Sequence, residues 1–202
     1  MSDYLCSQSN SVGLAESVPD TTAQGSERNA VNRGSADHVA NSFHMPISHL
    51  GFASLIRGSP ETIFDLIADM PNYGHWLACS QAFGETTEVS PYPVALGTTY
   101  LDGGPAGQRP GRVTGYDRPQ YLAFHQTMVV SRGPLAANVD IHKWYTLYAI
   151  HEATRLHCDL DLTIQANRVG KLARPLLLYA FRKENARVLA ALKRYVEARA
   201  QV

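Results

Sequence analysis

The clearest hydrophobic patterns in this sequence lie towards its C-terminus. A segment in which apolar and polar residues alternate is followed there by a long segment with the spacing of an amphipathic helix. Between Arg155 and Gln165 every second residue is apolar: Leu156, Cys158, Leu160, Leu162 and Ile164. Such alternation is typical of a strand with one buried and one solvated face. From Leu172 to Ala200 the apolar residues recur instead at steps of three and four. This spacing predicts a single helix about 40 Å long, because each helical residue adds about 1.5 Å.

The apolar stripe of this predicted helix contains one polar residue. Its members are Leu178, Phe181, Asn185, Val188, Leu192 and Tyr195. A helix of this length needs a broad surface to pack on, and only the preceding strands offer one. Because an unpartnered amide is costly against a dry sheet, we expect Asn185 to face a pocket and to bind a ligand carbonyl or hydroxyl. A bond to a neighbouring backbone group or to water is the alternative.

The first regular elements are predicted near residue 47. Leu50–Ile56 has the composition of a strand. Ser59 and Pro60 then form a helix start, with Ser59 as N-cap and Pro60 at the first helical position. Pro71 ends this helix, since proline disfavours helical geometry in the residue before it. The aromatic segment Asn72–Leu77 is predicted as a second short helix or a turn.

Short runs of β-favouring residues follow, separated by turn residues. They predict strands at Phe83–Val89, Gly97–Leu101, Arg112–Tyr116, Tyr121–Val130, Asp140–Ile150 and Arg155–Gln165. The short connections at 117–120 and 151–154 indicate antiparallel neighbours. Longer loops are predicted at 103–111 and 131–139. The pattern therefore indicates an α+β domain in which a long helix covers an antiparallel sheet of about seven strands.

Residues 1–46 differ from the rest of the chain in composition and in hydrophobic pattern. They are rich in Ser, Asn, Thr, Gly and Ala, and their apolar residues follow no period. Such a stretch buries too little apolar surface to offset the entropy of ordering it. We predict a disordered, mildly acidic tail before a domain at residues 47–202. A partner-binding or pocket-covering arm is the alternative, and no motif supports it.

The composition of the chain argues against some classes of binding partner and site. The 202 residues contain 18 Lys and Arg against 18 Asp and Glu, so the net charge is zero, which argues against nucleic acid as the main partner. The three cysteines show no spacing typical of a disulfide framework or a zinc site. No run of about 18 apolar residues and no secretory signal are visible, so we expect a cytoplasmic protein without integral membrane association.

Three segments carry a resemblance to a known superfamily: Ser59–Asp69, the aromatic cluster Tyr73–Trp76, and Glu184–Lys193. Together with the order of elements they resemble the helix-grip fold of the START-like (SRPBCC) superfamily, including its polyketide cyclase/dehydrase-like members, over about Ser48 to Arg199. The resemblance implies a curved sheet wrapped on the long helix, with a gap that holds a hydrophobic small molecule or lipid. It implies no single reaction, because the chemistry of the superfamily varies while the scaffold persists.

The residues expected to contact such a ligand are Tyr73, Trp76, Tyr100, His125, Trp144, Phe181 and Asn185. Tyr73 and Trp76 follow the first helix and either wall the pocket or pack in the core. Trp144 shares a strand face with His142 and Tyr148, whereas Lys143, Tyr145 and Leu147 share the other. Periodicity does not say which face looks into the gap, so Tyr145 is the alternative to Trp144.

His125 is the weak catalytic candidate. It lies between aromatic residues in a run with apolar residues on both faces, where an imidazole could act as general acid or base on an enolisable substrate. A histidine that is simply exposed or hydrogen-bonded is the plainer interpretation. No motif of a covalent hydrolase accompanies it.

No metal and no cofactor are expected. His157, Asp159 and Asp161 share one strand face and have the donor types of metal ligands. Their face is opposite the apolar one, however, so a solvated outer surface is the simpler interpretation.

Three functions remain open from the sequence. The first is a cyclase/dehydratase-like enzyme that uses metal-free acid–base catalysis. The second is a non-catalytic carrier of a lipid or secondary metabolite. The third is an interaction or regulatory protein with a vestigial pocket.

Overall fold

A curved, seven-stranded antiparallel sheet faces one long C-terminal helix, which confirms the helix-grip α+β fold. The computed structural model describes residues 46–200. The tail predicted at residues 1–46 therefore lies outside the described residues, apart from Pro46. In the described part of the chain, no helix is both long enough and apolar enough to cross a membrane.

The strands are β1 (Ile47–Arg57), β2 (Glu85–Ser90), β3 (Thr99–Gly103), β4 (Arg109–Asp117), β5 (Tyr121–Arg132), β6 (Leu135–Ile150) and β7 (Ala153–Ala166). The helices are α1 (Pro60–Ala68), a 3-10 helix (Met70–His75) and α2 (Arg168–Arg199). In the sheet the order is β1-β7-β6-β5-β4-β3-β2, with every neighbouring pair antiparallel. Strands β2 to β7 thus lie side by side in chain order, and β1 is the edge strand beside β7.

The prediction of a loop at residues 131–139 is wrong. Strand β5 continues to Arg132, β6 begins at Leu135, and these two residues pair across a tight turn. Gly133 allows the turn because its φ of 57° lies in the left-handed region, which glycine adopts without a steric cost. The loop predicted at 103–111 is also too long, since β4 starts at Arg109.

Helix α1 begins as its sequence predicts. The Ser59 hydroxyl accepts a hydrogen bond from the Thr62 backbone N–H at 3.2 Å, and Pro60 occupies the first turn. Phe64 is fully buried and packs edge-on against Tyr116, with ring centroids 5.2 Å apart. The second short helix is a 3-10 helix that starts at Met70, two residues before the predicted segment.

Helix α2 starts one turn earlier than predicted, because Asn167 caps it. The Asn167 side chain accepts a hydrogen bond from the Gly170 N–H at 2.8 Å. Asn185 and Leu192 of the predicted stripe are buried, and so are Leu189 and Val196, which the stripe did not include. Leu178, Phe181 and Val188 are half-buried and pack against the core. Tyr195 is also half-buried but lies beside Arg199, whose guanidinium is 5.2 Å from its ring centroid, so the buried face ends in Val196 and not in Tyr195.

Polar contacts hold the C-terminal half of α2 to β1. Lys193 Nζ donates to the Leu55 carbonyl oxygen at 2.8 Å, and the Arg57 N–H donates to Glu197 at 3.1 Å. The N-terminal half of α2 carries exposed apolar residues: Val169, Leu172, Leu176 and Tyr179. The start of the helix is held as well, because Asn167 Nδ2 donates to the Pro134 carbonyl oxygen and Arg174 Nη2 donates to the Ser48 hydroxyl, both at 2.8 Å. The two halves of α2 therefore differ in the burial of their apolar side chains and not in attachment.

Candidate functional site

A cavity of about 440 Å³ lies between α2 and the inner face of the sheet, the face that α2 covers. Its floor comes from β3 to β7, its roof from α2, and one end from the 3-10 helix and the segment after it. Most of the lining side chains are apolar, because the inward positions of the strands alternate with outward polar ones. The helix and the sheet therefore enclose space instead of packing closely along their whole length.

Five of the residues expected to contact a ligand lie on the cavity wall: Tyr73, Trp76, Tyr100, Phe181 and Asn185. They come from three different parts of the fold, the 3-10 helix region, β3 and α2. The structure brings their side chains around one space, and binding by them stays a prediction.

Tyr73 and Trp76 form an aromatic end wall. Their rings pack edge-on at 5.1 Å between centroids. The Tyr73 hydroxyl donates a hydrogen bond to the Ile67 carbonyl oxygen, which ties the 3-10 helix to α1. Burial, together with the charges of Asp102 and Asp69, raises the pKa of Tyr73 far above its usual value. The hydroxyl is thus a protonated structural group, and the ring is the surface offered to a ligand.

A polar cluster interrupts the apolar wall, and we call it the Arg109 corner: Asp102, Arg109, Gln126 and Glu184. The Gln126 amide donates to Asp102 Oδ2 at 2.6 Å, and Arg109 Nη2 lies 3.9 Å from the same oxygen. The Thr86 hydroxyl donates to the other Asp102 oxygen at 2.6 Å. One carboxylate thus organises several polar groups at the edge of an apolar space.

Arg109 is incompletely satisfied in this corner. Its side chain is only 12% exposed, and its Nε has no hydrogen-bond partner among residues 46–200. A buried N–H without an acceptor costs about 1–3 kcal/mol, and more when the group is charged. The Nε atom is itself buried, so a ligand oxygen reaches this N–H only when the side chain shifts. The Arg109 side chain as a whole lines the cavity, and the corner is suited to an oxygen-bearing edge of an apolar molecule.

The protonation states of the neighbouring groups also suit a ligand that carries oxygen atoms. Burial raises the pKa of Tyr100 and of Tyr145 well above the usual value, so both phenols are donors at neutral pH. Burial alone would raise the pKa of Glu184, but hydrogen bonds from Arg187 and Ser80 lower it below its usual value. The cavity therefore combines neutral phenols with the carboxylate of Glu184, which stays charged at neutral pH.

Asn185 contributes a polar atom from the roof. It is buried, and its Nδ2 donates to the Phe181 carbonyl oxygen one turn earlier in α2, at 2.9 Å. The neighbouring backbone group, weighed above as the alternative to a ligand, therefore holds the nitrogen. The amide oxygen and the second N–H are the groups left for a ligand.

The expectation that His125 and Trp144 line the pocket is wrong. Both side chains lie on the outer face of the sheet, opposite α2, since Phe124 and Gln126 point inward on β5 and Lys143 and Tyr145 point inward on β6. On β6 the alternative was correct: Tyr145 is buried, with Lys143 Nζ 4.9 Å from its ring centroid. His125 is thereby excluded as an acid or base inside the cavity.

Sequence reasoning missed the Arg109 corner. Arg109 was assigned to a glycine-rich loop, and Asp102 stood one residue beyond the predicted end of its strand. One signal was present: in Phe124-x-Gln126-x-Met128 the glutamine is a polar residue in an apolar alternation. Such an exception marks a polar position on a buried face, as Asn185 does in α2.

An opening of the cavity lies beside the first half of α2. Leu176 lines the cavity although it is 70% exposed, and Arg132 and Leu135 line it from the facing β5–β6 hairpin. A lining residue that water also reaches marks the opening. A ligand would therefore enter between the first half of α2 and this hairpin.

Replacement of Gly111 by alanine should reduce the cavity. Gly111 pairs with Tyr100 across β3 and β4, and an added Cβ would overlap the Tyr100 ring and lie 2.7 Å from its hydroxyl oxygen. Because Tyr100 is buried, its ring has free space only towards the cavity. We expect Gly111→Ala to destabilise the domain by about 1–3 kcal/mol in urea unfolding and to weaken binding of an apolar fluorescent dye about tenfold.

The Tyr100→Ala background supplies the control for this prediction. Without the ring, the added methyl group meets no obstacle, so the further effect of Gly111→Ala should stay below about 0.5 kcal/mol. An equal loss of stability in both backgrounds would show that Gly111 matters for a reason other than the ring.

Solved structures of other proteins share this architecture, although no protein-family model and no curated protein sequence matches the chain. Among them, the di-domain ARO/CYC protein StfQ from the steffimycin biosynthetic pathway superposes with a TM-score of 0.58 at 11% identity, over 77% of this chain and 52% of that one. This chain thus spans about half of that two-domain protein.

Two further structures match over nearly their whole length. Ara h 8.0201 has a TM-score of 0.55 at 12% identity, over 75% of this chain and 98% of that one. The protein TTHA0849 from Thermus thermophilus has a TM-score of 0.54 at 15% identity, again over 75% and 98%. At such identities the likeness concerns the fold. The chain therefore has the helix-grip fold of the START-like, or SRPBCC, proteins, including those of the polyketide cyclase type.

Proposed function

We propose that this domain binds a hydrophobic small molecule with oxygen atoms along one edge, in the cavity between α2 and the sheet. The observation that carries the proposal is a cavity with mostly apolar walls that the Arg109 corner interrupts, with a guanidinium whose Nε is unpartnered among residues 46–200. A volume of about 440 Å³ falls within the range of small-molecule pockets. Apolar walls supply binding energy by burial, and the polar corner selects the orientation of the ligand.

The carrier and the enzyme hypotheses both use this site. A purely apolar ligand would leave Arg109 unsatisfied, so a lipid tail alone fits less well than an oxygenated ring system or polyketide-like chain. The likeness to an ARO/CYC protein of a biosynthetic pathway supports an oxygenated, aromatic or polyketide-like ligand. The space under α2 argues against a collapsed, vestigial pocket.

Turnover of the cyclase or dehydratase type is the second candidate, and the Arg109 corner favours it. Asp102 places a carboxylate beside a guanidinium, which suits removal of a proton from a carbon next to a carbonyl. The C–H bond breaks, the proton passes to the carboxylate, and the electron pair moves to the carbonyl oxygen, where Arg109 N–H groups stabilise it. Tyr100 and Tyr145 are neutral donors that could assist.

Removal of the Arg109 guanidinium tests the binding proposal. We expect Arg109→Met to weaken binding of 8-anilinonaphthalene-1-sulfonate, whose sulfonate supplies the oxygens, by about 10- to 100-fold in a fluorescence titration. Methionine keeps much of the side-chain volume, so the apolar walls remain in place.

Arg112→Met is the matched control. Arg112 lies on the same strand with its side chain on the outer face, and its replacement should leave the dissociation constant unchanged. Equal affinity in the parent and in Arg109→Met would contradict the proposal, as would a parent protein that binds no dye. Mass spectrometry of small molecules co-purified under native conditions would then identify the ligand, and its conversion or unchanged recovery separates enzyme from carrier.

A further inference from the structure

A row of titratable side chains crosses the outer face of the sheet, on the side away from the cavity. His125 on β5 is directly opposite His142 on β6. Asp140 precedes His142 by two residues on the same strand, so its side chain points to the same face. These three residues are called the outer trio below. None of them lines the cavity or takes part in the proposed function.

The outer trio converges on one carboxylate. His125 Nε2 lies 2.5 Å from Asp140 Oδ1, and His142 Nε2 lies 3.1 Å from Asp140 Oδ2. The two imidazole rings are stacked, with centroids 4.5 Å apart and planes at 20°. One ligating atom from each residue falls within 4.8 Å of the other two. Both histidines thus present the same ring nitrogen to the same point in space.

We propose that the outer trio is a binding site for a divalent first-row transition metal, with zinc as the best fit. Two imidazole nitrogens and one carboxylate oxygen are a donor set that zinc accepts, and three protein ligands leave a position for water. With metal–ligand bonds of about 2.0–2.1 Å, neighbouring ligand atoms lie about 3.3 Å apart. The distance from His142 Nε2 to Asp140 is already close to this value, at 3.1 Å, and that from His125 Nε2 is shorter, at 2.5 Å. The two stacked rings must also tilt, so that both Nε2 lone pairs point at one ion.

The surroundings allow an ion to enter. The side chains of His125, Asp140 and His142 are 36%, 40% and 54% exposed, so water reaches the site and can complete the coordination. The strands that carry them are fully paired in the interior of the sheet, which holds the ligands in place without a loop. Arg112 pairs with His125 across β4 and β5. Its guanidinium lies beside Gly97, in the segment before β3, and thus points away from His125.

The residues named from sequence as metal donors, His157, Asp159 and Asp161, do not form this site. Asp161 and Asp159 pair instead with His49 on β1, at 2.8 and 3.5 Å. His157 packs edge-on against Tyr148, with ring centroids 5.9 Å apart. The donors considered from spacing along one strand therefore lie on the outer face but do not join the trio, whereas the donors that converge belong to β5 and β6.

Zinc titration of the full chain without an affinity tag tests the proposal. By isothermal calorimetry we expect one zinc ion per chain in the parent protein. His125→Ala, His142→Ala and Asp140→Asn should each weaken binding by at least about tenfold, because loss of even a group that only orients a ligand has an effect of about that size. His157→Ala, on the same face outside the trio, should bind zinc as the parent does.

A measurement on the unmodified protein guards against variants that fail to fold. In long-range proton–nitrogen NMR spectra, zinc should shift the ring-nitrogen resonances of His125 and His142 and leave those of His157 in place. Equal affinity in the parent and in His142→Ala would overturn the proposal. So would zinc binding that survives all three substitutions, or a parent spectrum in which both trio histidines stay unchanged.

Discussion

Phe64→Ala should lower the free energy of unfolding by about 3–5 kcal/mol, the range found when a buried phenylalanine is truncated to alanine. Phe64 lies on the inner side of α1, fully buried, and meets the Tyr116 ring edge-on. Truncation removes this aromatic contact and leaves a void between α1 and β4. Neighbouring side chains cannot fill it, because Ile63 and Ile67 are themselves fully or almost fully buried on the same helix.

Urea unfolding followed by circular dichroism measures this effect. Tyr148→Ala is the matched control, because it also truncates an aromatic ring, but at an exposed position on the outer face. We expect its effect to stay below about 1 kcal/mol. Similar losses at both positions would show that burial under α1 does not decide the stability of the domain. A change in the slope of the unfolding curve would instead point to an altered unfolded state.

Leu192→Ala should lower the free energy of unfolding by about 2–5 kcal/mol, since it removes a buried side chain from the C-terminal half of α2. Leu192 is 1% exposed and belongs to the main core cluster. The same half of the helix is attached to β1 through Lys193 and Glu197. The loss should therefore weaken the closure of the helix over the sheet. Either of the two large substitutions would remove a substantial part of a total stability of about 5–15 kcal/mol.

Leu176→Ala provides the comparison within the same helix. Leu176 belongs to the N-terminal half of α2, beside the cavity opening, and is 70% exposed. Its truncation should change the unfolding free energy by less than about 0.5 kcal/mol. If both leucine substitutions had the same effect, burial of the leucine would not decide its contribution to stability. Urea midpoints of the two variants, measured side by side, decide this point.

Local patterns predicted the elements well where the physical cause is itself local. The Ser59 cap, the proline at the first helical position and the alternation in β7 all appear as expected, because each depends on residues within one turn or one strand. The element ends were less accurate. Asn167 starts α2 a turn early, and the β5–β6 turn is tight because Gly133 adopts a positive φ.

Part of the candidate site was also visible in the sequence. Asn185 stood out as the polar residue in an apolar stripe, and the structure places it on the cavity roof. Tyr73 and Trp76 were visible as aromatic residues beside a helix end. The prediction that His125 and Trp144 line the pocket was wrong, because an alternating pattern defines two faces of a strand without saying which one faces the helix.

Two features of this protein required the pairing of distant segments. The Arg109 corner combines β3, β4, β5 and α2, and the outer trio combines β5 and β6. The register between strands sets which side chains meet, and it depends on packing over the whole sheet. Hydrophobic periodicity is a property of single segments, and it was enough to establish an α+β chain with a long helix on a sheet. The cavity, its polar corner and the convergence of His125, Asp140 and His142 arise only when these segments pack together, because each site draws its atoms from residues far apart in the chain.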